Sequence, residues 1–349
     1  MSVGLVIDEL FLEHRSDEVH PERPERLLAI GQALADSGLG GRATRVPVRA
    51  VTDEELGRVH DAAIIELLEK NLPGRSGYLD GDTYYSPGSW RAARAAAAAA
   101  VDLVTAALSG EHPRGLAAVR PPGHHATPSR PMGFCIFNNV AVAAAAARAA
   151  GCARVAVVDW DVHHGNGTQD AFYADPTVMY VSTHQYPFYP GSGAAAEIGE
   201  GAGTGTTVNL PLPAGSGDAE YAAAFDEIIV PALRWFRPEL ILVSAGYDAF
   251  VDDPLAGMRV STEGFRRMAG AVRAVADEVA GGRMVCVLEG GYDLRGLAEG
   301  VVATFEILDA DTPAPPHDRK DIAHGARAAI EAARRALSPH IPALAQPGV

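Results

Sequence analysis

Short apolar runs alternate along this chain with segments long enough to form helices. Such runs predict buried strands, at residues 3–7, 115–119, 155–158, 178–182, 240–244 and 284–288. Helices, several opening at a Pro, Ser, Thr or Asn, are predicted at residues 24–35, 90–108, 139–150, 219–236 and 262–279. The alternation predicts an α/β fold with a mostly parallel central sheet and helices on both faces.

The pattern breaks near the C-terminus, where prolines interrupt it at residues 311–316. An Ala- and Arg-rich stretch at residues 322–337 predicts one more helix. A chain of 349 residues with 48% hydrophobic composition can bury a large core, and we interpret residues 1–310 as one domain. Residues 311–349 are expected to form a Pro-containing linker and a C-terminal helix and tail packed on that domain.

Charge and composition narrow the classes of function. The 29 Lys and Arg against 44 Asp and Glu give a net charge of −15, which disfavours nucleic acid and suits a cationic substrate. Three cysteines without CxxC spacing indicate buried free thiols. The N-terminus lacks a secretory signal pattern, and the Ala-rich runs at 92–100 and 141–147 are shorter than the roughly 20 residues that span a bilayer. A soluble cytoplasmic protein without membrane contact is expected.

Polar motifs directly follow four of the predicted strands. They are RPPGHH at 120–125, DWDVHHGNG at 159–167, AGYD at 245–248 and EGGY at 289–292. Ligands of open α/β sheets bind beyond the carboxyl ends of the strands, so these loops are expected to form one crevice.

The second of these motifs carries side chains that bind metals. In an extended chain Asp159, Asp161 and His163 share one face, so a carboxylate and an imidazole can reach one ion. With Asp248, two carboxylates and one imidazole form a set typical of a catalytic zinc that keeps a position for water. The alternatives are a polar strand end with solvated charges and, for Asp248, a simple turn carboxylate.

The other two motifs supply groups for proton transfer. The adjacent rings of His124 and His125 can divide proton transfer and charge stabilisation between them. Tyr292, approached through the flexible Gly290 and Gly291, can donate a hydrogen bond to a developing oxyanion. A turn with solvated imidazoles and a packed loop aromatic are the alternatives.

Taken in order, the motifs resemble those of the zinc-dependent histone deacetylase superfamily, in particular the bacterial histone deacetylase-like amidohydrolases and class II deacetylases. The resemblance also includes HPERPER at 20–26, DTYYSPG at 82–88 and GFCIFNN at 133–139, and it covers roughly residues 1–310. It implies a single-domain arginase/deacetylase-like fold with the active site at the carboxyl ends of the strands.

The resemblance implies a role for each matching residue. One catalytic Zn²⁺ would bind Asp161, His163 and Asp248. A structural K⁺ would bind largely through backbone oxygens, and its implied ligands are Asp159, Asp161, His163 and Ser182.

His125 would act as general base and then acid, and His124 would stabilise charge. Asp159 and Asn166 would orient these rings, and Tyr292 would hold the oxyanion. Asn166 is an amide where class I relatives have a carboxylate, which implies a less basic His125.

The implied pocket is a tunnel for a linear acyl-lysine side chain. Gly133 and Phe134, with Tyr189 or Phe188 opposite, would wall it, and Gly291 would line the approach to Tyr292. Asp82 would hold the substrate backbone at the rim. Leu255 stands where polyamine-selective relatives have a gatekeeping Glu.

The implied function is deacetylation of an acetyl-lysine peptide or a similar acetylated amine. An acetylpolyamine amidohydrolase is the nearest alternative, which the short segment 61–82 and the apolar Leu255 disfavour. A two-manganese ureohydrolase and a non-catalytic acetyl-lysine binding protein are more remote. The acyl length, the physiological substrate and whether the chain forms a homo-oligomer stay open.

Overall fold

The computed structural model of the protein describes residues 2–311 and 322–345, so the three prolines predicted to form a linker lie outside the described residues. Its main sheet has eight strands in the order β2-β1-β5-β10-β9-β6-β7-β8, all paired in parallel. These strands are β1 (Gly4–Val6), β2 (Thr44–Arg45), β5 (Arg114–Ala117), β6 (Val155–Asp159), β7 (Val178–Gln185), β8 (Thr207–Leu212), β9 (Leu240–Ala245) and β10 (Met284–Leu288). A small antiparallel hairpin joins β3 (Gly77–Tyr78) to β4 (Tyr84–Tyr85).

Helices cover the sheet in two groups. The first contains α4 (Ser89–Ser109) packed on α5 (Asn139–Ala149), and the second contains α9 (Thr262–Val279), α10 (Leu294–Asp309) and α1 (Glu25–Asp36). The remaining helices are α2 (Asp53–Leu56), α3 (Ala62–Asn71), α6 (Asn166–Phe172), α7 (Asp218–Ala224), α8 (Val230–Phe236) and α11 (His324–Leu337). The predicted α/β class with a parallel sheet is confirmed.

All the predicted strands are present, and four of them are consecutive neighbours. β5, β10, β9 and β6, whose ends carry the polar motifs, stand side by side in the sheet. Parallel pairing places all four carboxyl ends at one edge. The expected crevice therefore lies at the middle of the sheet rather than at its rim.

One predicted helix is divided in the structure. The pattern predicts a single helix over residues 219–236, but α7 and α8 are joined by a π-helical turn at Phe225–Ile229. Pro231 lies in the first turn of α8, where its missing N–H is tolerated.

Two of the elements that the pattern did not predict contain residues that disfavour them. Strand β8 contains Pro211, which an edge strand tolerates. Helix α10 contains Gly296 and Gly300, which lower helix propensity. A Cβ at Gly296 would come within 2.2 Å of the Phe250 ring, so this glycine allows α10 to pack against the loop after β9.

Helix α4 is the one described helix long and apolar enough to cross a membrane, but 72% of its apolar window is buried inside the protein. Ten of its 21 residues are Ala, and they allow close approach to α5 and to β5. We therefore assign α4 to the core.

The C-terminal helix α11 packs against the edge strand β8 and against α7. Its buried side includes Ile330 and Leu337, and Arg327 and Arg334 both pair with Glu227 at 2.6 and 2.8 Å. The helix thus covers an otherwise open edge of the sheet, which limits pairing with other strands.

Candidate metal and active site

Two carboxylates and one imidazole converge at the ends of β6 and β9. The ligand atoms of Asp161, His163 and Asp248 all lie within 4.8 Å of one another. His163 Nδ1 is 3.2 Å from Asp161 Oδ1 and 3.2 Å from Asp248 Oδ2. Among the described residues this is the one group of three or more such side chains arranged to hold a metal ion. The three predicted ligands are therefore brought together.

The electrostatics of this group favour a bound cation. Asp161 and Asp248 are fully buried. Burial, together with the charge of Asp161, raises the pKa of Asp248 to about 7. Burial alone would lower the pKa of His163, but hydrogen bonds to Asp161 and Asp248 and their charges raise it to about 10. Two converging carboxylates thus create a negative potential that a cation relieves.

Backbone amides hold both carboxylates in place. Asp161 Oδ2 accepts a hydrogen bond from Gly290 N at 2.8 Å, and Asp248 Oδ1 accepts one from Val162 N at 2.8 Å. A Cβ at Gly290 would lie 2.1 Å from Asp248 Oδ2. The loop after β10 therefore needs glycine to approach the ligands this closely.

The tandem histidines lie beside this group, each with one ring nitrogen engaged. His124 Nδ1 is 3.0 Å from Asp159 Oδ2, and His125 Nδ1 is 2.9 Å from Asn166 Oδ1. The ring centroids are 4.0 Å apart. Because Asn166 Oδ1 can only accept, His125 Nδ1 carries the proton and Nε2 keeps its lone pair.

The two rings differ in protonation. Burial opposes a charge on His124, but Asp161, Asp159 and Glu289 together raise its pKa well above the usual value. Burial and the charges of His124 and His163 hold the pKa of His125 well below its usual value. These pKa directions favour a charged His124 next to a neutral His125.

A cavity of about 220 Å³ opens directly above these groups. Its lining residues are Asp82, Pro122, His124, His125, Gly133, Phe134, His163, Tyr189, Leu255, Gly290 and Tyr292. Burial raises the pKa of Tyr292 well above its usual value, so its hydroxyl stays protonated and can donate a hydrogen bond.

Most predicted pocket residues line this cavity. The Phe134 ring stands edge-on to Tyr292 with centroids 5.9 Å apart, and Phe134 adopts a positive φ of 68°. Gly133 also has a positive φ, and a Cβ there would lie 2.6 Å from the His125 ring. This turn presses the wall against the His125 ring, and only glycine fits at position 133.

Two parts of the cavity lining differ from the expectation: the wall opposite Phe134 and the glycine next to Tyr292. Tyr189 lines the cavity with its ring 5.1 Å from that of His125, whereas Phe188 stacks on His163 at 5.4 Å and is outside the lining set. Gly290 takes the lining position expected for Gly291, whose carbonyl accepts from Arg26 Nε at 2.7 Å.

Glu289 is a site residue that sequence analysis did not single out. Its Oε2 accepts from Gly123 N at 2.6 Å and from His124 N at 3.1 Å, while Oε1 accepts from Ser244 at 3.2 Å. One buried carboxylate thus links the ends of β5, β9 and β10. The sequence shows that Glu289 belongs to the EGGY motif, but it does not show which groups the side chain contacts.

Glu22 and Arg26 were also missed, although the HPERPER motif contains them. Glu22 is fully buried and contacts Arg26, Arg120, Tyr84 and His14. Arg26 reaches from this cluster to the carbonyls of Gly291 and Glu289. The N-terminal motif therefore supports the loop that carries Tyr292.

A second polar network anchors the wall loop, which is the loop between β7 and β8 that carries Tyr189. Glu197 Oε2 accepts from Gln169 Nε2 at 2.7 Å, and Oε1 accepts from Gly193 N and Ala194 N. Gln169 Oε1 lies 3.1 Å from the ring of His164, the residue after His163. The loop carrying Tyr189 is thereby fixed to the loop that carries the candidate metal ligands.

Ser182, the remaining predicted cation ligand, is buried in β7 and pairs in register with Asp159 of β6. Its Oγ lies 2.9 Å from His184 Nδ1. His184 Nε2 donates to Gly193 O at 2.9 Å, so the Nδ1 of the neutral ring accepts a hydrogen bond from the Ser182 hydroxyl.

The chain is similar to known proteins over most of its length. The histone deacetylase domain model matches residues 20–308. The chain is 41% identical to histone deacetylase 15 of Arabidopsis thaliana over 89% of this chain and 57% of that protein. It is 43% identical to polyamine deacetylase HDAC10 of Homo sapiens over 95% of this chain and 51% of that one, so it spans only about half the length of these relatives. The crystal structure of the HDA15 HD domain superposes with a TM-score of 0.91 at 38% identity, covering 99% of this chain and 96% of that one.

Proposed function

This chain belongs to the histone deacetylase family, and on that premise we propose that it is a zinc-dependent deacetylase that hydrolyses acetyl-lysine-like amides to the free amine and acetate. The observation that carries the proposal is the meeting of Asp161, His163 and Asp248 with His125 and Tyr292 around one cavity. A metal site, a neutral base and an oxyanion donor are the parts that amide hydrolysis requires.

The donor set fits zinc. Two carboxylate oxygens and one imidazole nitrogen are borderline-hard ligands, and three protein ligands leave a position open for water or substrate. Zinc held by these residues would supply Lewis acidity toward the amide carbonyl and the attacking water.

The chain's own residues would then move the protons and bear the charge. His125 Nε2 takes the proton of the attacking water, because the neutral ring lines the cavity and its Nδ1 is engaged with Asn166. The Tyr292 hydroxyl donates to the oxyanion, and the charged His124 stabilises the same negative charge. Protonated His125 finally delivers its proton to the leaving amine.

The tunnel walls suit an unbranched acyl-amine chain. Phe134 and Tyr189 bring aromatic faces to the cavity, while Asp82 stands in its lining with a partly exposed carboxylate. An aromatic slot accepts the methylene stem of lysine, and a rim carboxylate can accept hydrogen bonds from a peptide backbone.

Acetylpolyamines are the second candidate class, because a polyamine deacetylase is among the similar proteins. The chain's net charge of −15 suits a polyamine as well as a basic peptide. Leu255 favours the acetyl-lysine class, since this apolar residue in the cavity lining offers no charge to a distal ammonium.

The test is turnover of an acetyl-lysine peptide and of acetylputrescine by purified protein, with zinc quantified before and after chelation. We expect one zinc per chain, loss of activity on chelation and a preference for the peptide. Two manganese ions per chain would support a ureohydrolase instead.

Tyr292→Phe separates catalysis from mere binding. It should keep zinc but lose on the order of 10²-fold or more in turnover, as expected for one missing oxyanion donor. Tyr186→Phe, outside the cavity lining, is the matched control. Full activity of Tyr292→Phe would defeat the mechanism, and substrate binding without turnover by the wild type would indicate a binding protein.

We also propose a structural potassium ion near Asp159 and Ser182. The support is the family resemblance and the adjacency of these residues in paired strands. Replacing K⁺ with the larger tetramethylammonium ion should lower the melting temperature if the site exists, and an unchanged melting temperature would argue against it.

A further inference from the structure

Asp253, in the loop after β9, uses one carboxylate to bind three backbone amides. Its Oδ2 accepts from Tyr292 N at 2.6 Å and from Asp293 N at 3.1 Å. Its Oδ1 accepts from Leu255 N at 3.0 Å. Only 6% of Asp253 is exposed, so water does not replace these bonds easily.

The Tyr292 loop is held from its other side by Arg26. Arg26 Nε donates to Gly291 O at 2.7 Å, and its guanidinium carbon lies 5.0 Å from the centroid of the Tyr292 ring. Asp293 then caps α10 by accepting from Gly296 N at 2.6 Å. The carbonyl of Gly291 and the amides of Tyr292 and Asp293 are thus all engaged in hydrogen bonds. These bonds restrain the backbone of Tyr292 from both sides.

The chemistry of this site requires a carboxylate. Three N–H donors converge on Asp253, and an ionised carboxylate has two oxygens that accept in several directions. An amide of the same shape has one acceptor, and its NH₂ group would face an N–H donor. Asp253→Asn therefore breaks at least one of the two connections while it keeps the side-chain volume.

We propose that Asp253 is a positioning residue that sets, through one carboxylate, both the place of Tyr292 in the cavity and the place of Leu255 in its lining. The proposal rests on the deacetylase function proposed above and extends it. Its consequence is that the oxyanion donor and the residue that selects the substrate tail are connected, so a change at Asp253 alters turnover and substrate preference together.

Asp253→Asn tests the connection to Tyr292, and Asp252→Asn is its matched control. Asp252 is the preceding residue, and its exposed carboxylate pairs with Arg295 at 2.7 Å. We expect Asp253→Asn to lower kcat about 10- to 100-fold with a smaller change in KM and unchanged zinc content, because a displaced hydroxyl loses transition-state stabilisation. Asp252→Asn should stay within about twofold of wild type.

A double-mutant cycle distinguishes positioning from a general structural role. If Asp253 acts through the Tyr292 hydroxyl, adding Asp253→Asn to Tyr292→Phe should lower kcat by less than about threefold more. If Asp253→Asn lowers the kcat of Tyr292→Phe as much as it lowers the kcat of the wild type, the connection to Tyr292 is overturned. An unchanged ratio of acetyl-lysine to acetylputrescine turnover in Asp253→Asn would overturn the connection to Leu255.

Amide hydrogen exchange and a second variant test the proposal independently of the kinetics of Asp253→Asn. Amide hydrogen exchange at Leu255, Tyr292 and Asp293 should rise together in Asp253→Asn, and unchanged exchange would refute the proposal even if the wild type were inactive. Wild-type inactivity on both substrates would instead count against the proposed function. If Asp253→Asn does not fold, Asp253→Glu keeps the charge, and its displaced carboxylate should still lower kcat; full kcat in Asp253→Glu would refute the proposal.

Discussion

The backbone amide of Gly290 donates a hydrogen bond to Oδ2 of Asp161 across 2.8 Å, joining the loop after β10 to the loop after β6 that carries Asp161 and His163. β9 separates these strands in the sheet, and Asp248 extends from its end into the same contact region. The ends of β6, β9 and β10 therefore come into direct contact around the proposed metal site.

This close contact predicts the effect of Gly290→Ala. The new Cβ would lie 2.1 Å from Asp248 Oδ2 and 2.6 Å from Asp161 Oδ2, so the two carboxylates must separate. We expect zinc affinity to fall about 10-fold or more, as for other changes that displace ligands. Competition with a fluorescent chelator measures it. Gly41→Ala, where a Cβ has ordinary contacts, is the control, and wild-type affinity in Gly290→Ala would contradict the geometry.

Glu197 offers a test of the wall loop. Burial would raise its pKa, but hydrogen bonds from Gln169, Ala194 N and Gly193 N lower it, so it binds as a carboxylate. Glu197→Gln should cost about 2 kcal/mol of stability, the range for hydrogen bonds to a charged group. Because the loop carries Tyr189, KM should rise more than kcat falls.

Thermal melting and steady-state kinetics measure these two effects. The exposed Glu200, three residues further along the same loop, provides the matched control Glu200→Gln. Equal kinetics in Glu197→Gln and Glu200→Gln would show that Glu197 does not position the wall.

Leu255→Glu should shift the substrate preference toward acetylpolyamines. A carboxylate in the cavity lining can pair with the distal ammonium of acetylputrescine, an interaction on the order of 1 kcal/mol, or several-fold in kcat/KM. The measurement is the ratio of kcat/KM for acetylputrescine and an acetyl-lysine peptide. Leu255→Gln, similar in size but uncharged, should leave the ratio nearly unchanged, and an equal shift in both variants would exclude charge as the cause.

His60 should make stability depend on pH. Its Nδ1 donates to Thr127 O at 3.2 Å and its Nε2 accepts from Asn138 N at 2.9 Å, so the buried ring is neutral. Burial lowers its pKa from 6.5 to about 4. The unfolded chain binds the proton first as pH falls, so stability is retained above about 6.5 and lost progressively down to about 4, by up to about 3 kcal/mol.

Urea unfolding between pH 4 and 7 measures this loss. His60→Gln should be less stable at pH 7 but show a shallower pH dependence than wild type. His324→Gln, at an exposed position on α11, should keep the wild-type slope. An unchanged slope in His60→Gln would assign the pH dependence to other groups.

Much of the fold follows from local patterns. β10 and α9 begin and end where the apolar pattern predicts, because the apolar run of β10 and the apolar face of α9 are uninterrupted. α10 and β8 were missed because Gly296, Gly300 and Pro211 weaken the local signal. Tertiary packing overrides that signal: the glycines let α10 approach the loop after β9, and the proline sits at a sheet edge.

The candidate metal ligands and the His pair could be singled out from the sequence because their motifs are short and chemically distinctive. Asp161 and His163 are two residues apart just after a strand, a spacing that predicts a shared face in an extended chain without any knowledge of the fold. Glu22, Glu197 and Asp253 could not be found this way. A single carboxylate has no local signature, and its role depends on which distant amides it meets.

Amino-acid order alone determined the parallel α/β class, the four polar strand ends and the residues able to bind a metal, because strand and helix periodicities and ligand chemistry act over a few residues. Only tertiary structure decided that β5, β10, β9 and β6 are neighbours, that Tyr189 rather than Phe188 lines the cavity, and that Asp253 joins Leu255 to Tyr292. These are contacts between segments far apart in sequence, and the packing of the whole chain sets them.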